Sequence, residues 1–182
     1  MTKSATAAVL LLLSTAMGFS ATPQQLGAWS VYPAKSNPNV NSVIMLQTIS
    51  QEQSTDVQGK PVQAKLDVIC KSGKVSAIAL EPVVAIRNNA VSFSGPVPTT
   101  RVVFVADGQS DRSENWAVLD GGRTLSPSSE VSQGKLMQRW VARLSGSKKV
   151  SFGVEAKAEA YTQPTFDTGE LSSALSSVGC RY

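Results

Sequence analysis

The stretch VQAKLDVICKSGKVSAIAL, residues 62–80, decides the fold, because its side chains alternate between apolar and polar. Val62, Ala64, Leu66, Val68 and Cys70 share one face against Gln63, Lys65 and Asp67 on the other. A period of two is that of a strand with one face on a core. The apolar face directs the Cys70 side chain inward, and Asp67 falls on the polar face. The residues KSGK then turn the chain through Gly73, and VSAIALEP follows as the return strand. Residues 62–80 therefore read as a β-hairpin.

The same alternation recurs on both sides. GAWSVYP (27–33) places Trp29 and Val31 on one face, and NVNSVIMLQTIS (39–50) is a second strand. A polar connection of Gln, Ser, Thr, Asp and Gly runs from Gln51 to Pro61. Further strands are AVSFSG (90–95), TRVVFVAD (100–107), NWAVLD (115–120), KLMQRWVARL (135–144) and KVSFGVEAKAEAY (149–161), separated by Gly, Asp, Ser and Pro clusters. The stretch LMQRWVARL also admits a helical reading. About nine short strands with turn signals between them predict a mainly β fold, an antiparallel β-sandwich or a barrel.

The tail TFDTGELSSALSSVGCRY, residues 165–182, breaks the period. Asp167 followed by Glu170 reads as a capping box. Leu171, Ala174, Leu175 and Val178 recur at helical spacing, and Gly179 stops the run. A helix this short does not persist alone. The expectation is that its apolar face lies on the sheet and that Cys180 is joined to Cys70, these being the two cysteines of the chain.

Residues 1–21 have the pattern of a secretory signal peptide, with Lys3 ahead of an apolar run from Ala7 to Leu13 and small residues at Ala16, Gly18, Ser20 and Ala21. The run is too short to span a bilayer comfortably, and no second long apolar stretch follows. A single domain over residues 22–182, exported to the periplasm, is the resulting expectation. An oxidising compartment lets Cys70 and Cys180 pair. Zinc is the weaker use of them, because the chain has no histidine to complete a site. Composition, with 42% hydrophobic and 16% charged residues, is that of a globular domain. Once Lys3 is removed with the signal, sixteen basic side chains face thirteen acidic ones. That scattered excess is no nucleic-acid footprint.

The absence of histidine also excludes Ser-His-Asp and Cys-His nucleophilic systems. Ser-x-x-Lys occurs at Ser132/Lys135 and Ser145/Lys148, but at strand edges and turns instead of the helix start that such catalysis uses. Asp107, Asp111, Glu114 and Asp120 offer oxygen ligands around DGQSDRSEN (107–115), without the spacing of a calcium loop. No carboxylate pair for glycoside hydrolysis stands out. No catalytic residue, metal or cofactor is expected. Trp116 and Trp140 read as core residues by default. Arg139, Trp140 and Arg143 combine the residue types enriched at interfaces, and are the candidate partner-binding strand. The loop SGPVPTT (94–100), stiffened by Pro96 and Pro98, is a candidate protruding element.

The order of these landmarks resembles a known family. An early strand tryptophan, DVICKSGK, NWAVLDGGRTLSP and the closing FDTGELSSALSSVGC are similar to the periplasmic TagO/VasI-like proteins associated with type VI secretion, over most of residues 27–180. The resemblance implies a non-enzymatic accessory protein that binds another envelope or secretion-system protein. The alternative expectation is a secreted inhibitor or immunity-like protein that blocks an envelope enzyme such as a cell-wall hydrolase.

Overall fold

In the computed structural model, residues 22–33, 43–55, 58–83, 85–86, 91–93, 97–110, 113–127, 133–154 and 163–182 are described. Residues 1–21, expected as a signal peptide, Pro96, Asp111, Ser132 and the later part of the strand expected over 149–161 lie outside them. The hairpin is present as β6 (Lys65–Lys71) and β7 (Lys74–Glu81), paired antiparallel, with Lys71 opposite Lys74. Ser72 and Gly73 both have positive φ, 53° and 72°. Two such residues in sequence are what a tight hairpin turn with the twist of its flanking strands requires.

Before the hairpin come β1 (Gln24–Leu26), β2 (Trp29–Pro33), β3 (Val43–Ile49), β4 (Ser54–Thr55) and β5 (Pro61–Val62). After it come β8 (Thr99–Ala106), β9 (Gln109–Ser110), β10 (Glu114–Leu119), β11 (Thr124–Pro127), α1 (Gln133–Ser145), β12 (Lys149–Val154), β13 (Thr165–Asp167) and α2 (Leu171–Ser177). One antiparallel sheet runs β1-β2-β3-β6-β7-β11-β10-β8-β12-β13, with β9 beside β8. Its last strand comes back to the end of β3: the Gln51 N–H donates to the Thr165 carbonyl at 2.8 Å, and the Glu52 carboxylate accepts from the Thr165 N–H at 2.7 Å. Both halves of this curled, sandwich-like sheet feed one core cluster, from Trp29, Leu46 and Val68 to Phe104, Phe152 and Phe166.

Four expectations about the strands need correction. Val62 belongs to the separate β4-β5 ribbon and not to the hairpin, which starts at Lys65. Of AVSFSG, residues 91–93 are described, and of these only Ser92 is paired, in an isolated bridge to Thr99. KLMQRWVARL is helix, because Leu136, Met137, Trp140, Val141 and Leu144 are buried at a spacing of three and four, which lays one face of α1 on the sheet. The polar face of β6 is not open to solvent at its centre, since Asp67 is only 5% exposed.

At the tail, α2 begins at Leu171, four residues after Asp167. Asp167 ends β13, and its carboxylate accepts from the Gly169 N–H at 3.1 Å, so it closes a local turn instead of capping the helix. Leu171, Ala174 and Leu175 are buried as expected. Gly179, with φ +68°, ends the helix: its N–H donates to the Ser176 carbonyl and the Cys180 N–H to the Leu175 carbonyl, at 3.1 and 2.9 Å. Those two bonds form a Schellman cap, which turns Cys180 onto Cys70. The disulfide is formed, with Cα atoms 6.1 Å apart.

Candidate interaction surface

Trp140 is the first of the expected partner-binding residues to be placed, and it is not on the surface. Its side chain is 1% exposed and stands edge-on to Trp116 at 5.0 Å and to Phe104 at 5.3 Å, within a cluster that Phe152 and Phe166 extend. The helical period explains this: in α1, position 140 faces the sheet together with 136, 137, 141 and 144. The core reading of both Trp116 and Trp140 is therefore the one realised. Among the described residues, Nε1 of neither has a hydrogen-bond acceptor.

Arg139 and Arg143 lie beside Trp140 and are engaged internally. Arg139 Nη2 and Arg143 Nη1 each donate to the Glu114 carboxylate at 2.8 Å, one to each oxygen. The Arg143 guanidinium also sits 4.9 Å from the Trp140 ring centroid, a cation–π contact. Together these contacts fasten α1 to β10. Glu114, one of the acids of the calcium reading, is thus an anchor for two arginines. Asp107, a second of them, accepts from the backbone N–H groups of Lys148 and Lys149. Ser145 ends α1. Among the described residues no three His, Cys, Asp or Glu side chains are grouped to hold a metal ion.

The anchoring role makes a prediction. With Arg143 and Glu114 both about three-quarters buried, and Arg139 half exposed, a double-mutant cycle of Glu114→Ala with Arg143→Ala is expected to show a coupling of about 1 kcal/mol, and the cycle with Arg139→Ala less. Urea denaturation of the four proteins of each cycle measures both. Equal, near-zero couplings would mean that the clamp contributes nothing to holding α1.

Another surface presents apolar side chains outward. Phe93 is 65% exposed and Val97 is 41% exposed. Ser92 and Thr99 exchange two backbone hydrogen bonds, of 2.7 and 2.9 Å, at the base of this loop, and the Pro98 carbonyl accepts from the Val118 N–H at 2.7 Å. The loop flagged for its prolines is therefore tied at its base to β10, with an aromatic ring in solvent beside it. Phe93 itself was missed, because AVSFSG read only as one more strand, with no signal for which side of it would be left in solvent.

A groove of about 320 Å³ lies between Glu81, Pro82, Val83, Asp120, Arg123 and Thr124. Its rim is shaped by the turn Asp120–Gly121–Gly122, all three at positive φ. A Cβ on Gly122 would fall on the Ile86 backbone, whose N–H donates to the Gly122 carbonyl at 2.8 Å. The glycine is required by that close approach. Among the described residues no helix is long and apolar enough to cross a membrane. No protein-family model, curated protein or solved structure matches this chain.

Proposed function

We propose that the chain is an exported, non-enzymatic accessory protein that binds another protein of the periplasm or envelope, with the type VI association implied by the sequence resemblance as its setting. The observation that carries this reading is the solvent-facing Phe93 ring on a loop fixed at its base by the Ser92–Thr99 pair. Aromatic side chains are enriched in interface cores, and the two backbone bonds of Ser92, next to Phe93, reduce the backbone freedom lost on docking. The side chains best suited to chemistry point the same way: the Glu114 carboxylate, Arg139, Arg143 and Asp107 make structural bonds, and both cysteines are in the disulfide. That disulfide fits an oxidising compartment.

The same loop supports the second reading, an inhibitor that inserts Phe93 and Val97 into the cleft of an envelope enzyme. One experiment separates the two. Capture from periplasmic extract with the mature protein is expected to retain a specific partner, and Phe93→Ser is expected to lower that retention at least tenfold, as loss of one buried phenyl ring implies, without changing the melting temperature. A secretion component among the retained proteins supports the first reading. A hydrolase whose activity is blocked by the wild type and not by Phe93→Ser supports the second. Undiminished capture by the variant would remove the loop from both.

A further inference from the structure

The hairpin turn, the tail and the first turns of α1 meet at a groove of about 230 Å³. Its floor is apolar, formed by Val75 and Met137, which are 9% and 2% exposed. Its rim carries Lys74, Arg181 and the side chain of Tyr182. The tail is held there by backbone bonds as well as by the disulfide: the Arg181 N–H donates to the Gly73 carbonyl at 2.8 Å, and the Val75 N–H donates to the Arg181 carbonyl at 2.9 Å.

This register sets like charges against each other. Lys71 lies opposite Lys74 across the turn, and Lys74 lies beside Arg181 in a parallel bridge. All three side chains are exposed, and none of them meets a carboxylate among the described residues. Like charges directly opposed on neighbouring strands disfavour the pairing, and a bound anion reverses the sign of that effect. The three cations come from positions 71, 74 and 181, so the fold, and not a basic run, brings them together.

We propose that this groove docks an acidic protein segment, with carboxylates on Lys74 and Arg181, the neighbouring Lys71 adding to the positive field, and one aliphatic side chain over Val75 and Met137. The charge selects an anion, and the planar guanidinium of Arg181 suits a carboxylate. The apolar floor selects a peptide over a free phosphate, which would use the cations and leave the floor unfilled. This surface is separate from the Phe93 loop, and it stands or falls independently of the function proposed above.

The test uses the full mature chain and a fluorescein-labelled decapeptide of alternating glutamate and leucine, followed by fluorescence polarisation. The peptide is expected to bind, with affinity falling as salt is raised. Lys74→Ala and Arg181→Ala are expected to weaken it about five- to tenfold each, as loss of one charge-assisted contact implies. Gln138→Trp, on the groove wall, is expected to abolish binding while the circular dichroism spectrum is unchanged. Phe93→Ser is expected to bind the peptide like the wild type. Wild-type affinity in both alanine variants would overturn the proposal. So would loss of binding in Phe93→Ser, equal binding of an uncharged peptide of alternating glutamine and leucine, or displacement of the peptide by millimolar phosphate or by phosphatidylglycerol vesicles.

Discussion

Cys180→Ser is expected to lower the unfolding free energy by about 2 to 5 kcal/mol and to release the tail to protease. The bond closes a loop between residues 110 apart in sequence, a length for which the chain-entropy relation gives roughly 5 kcal/mol at most. The helix it retains, α2, has seven residues, too few to persist unsupported. Yet Leu171, Ala174 and Leu175 are at most 1% exposed, so fraying of α2 uncovers core. Urea denaturation gives the loss in stability, and limited proteolysis gives the order in which segments are cut. A loss of only a few tenths of a kcal/mol, with residues 171–182 still protected, would show that packing alone holds the tail.

The second large effect is expected at Asp67. Its side chain is 5% exposed, with Oδ1 accepting from Gln47 Nε2 at 2.9 Å. Burial, with the nearby Glu81 charge adding to it, pushes this carboxyl up to about 7, against the opposing pull of the Gln47 hydrogen bond and the Lys65 charge. In the unfolded chain the group titrates near 4. Between those values the folded protein holds a proton that the unfolded chain has lost, so stability falls as pH rises from about 4 to about 7 and then levels. Asp67→Asn keeps an acceptor for Gln47 and removes the charge. The variant is expected to be more stable than the wild type at pH 8, by about 2 to 4 kcal/mol, and to differ little at pH 4. Denaturation midpoints of both proteins across that range test this, and a variant no more stable at pH 8 would mean that ionised Asp67 is well solvated.

Asp67 also shows where alternation stops being informative. The period of two places it correctly on the face opposite Leu66 and Val68. It cannot tell that this face is closed around position 67, because closure depends on neighbours such as Gln47 and Ala79, which pairing brings alongside. Cys70 was legible for the converse reason: an unbroken apolar face and a lone partner left it one environment. The strand reading of 135–144 failed because LMQRWVARL satisfies both periods over a few residues. What settles the matter is the spacing of Leu136, Trp140 and Leu144, all buried at intervals of four. The partner-binding reading of Trp140 failed with it, since a residue on the sheet-facing side of α1 is in the core. Composition pointed to a scattered charge excess, and only the junction of the turn with the tail gathers Lys71, Lys74 and Arg181.

The capped tail and the cationic groove both rest on the bond between Cys70 and Cys180 in the folded protein. Mass spectrometry of the purified folded chain, alkylated before reduction and digested, measures this most directly. The predicted result is a single cross-linked peptide pair containing Cys70 and Cys180, with no alkylated thiol at either position. Quantitative alkylation of both cysteines in protein that is folded and protected from protease would contradict it.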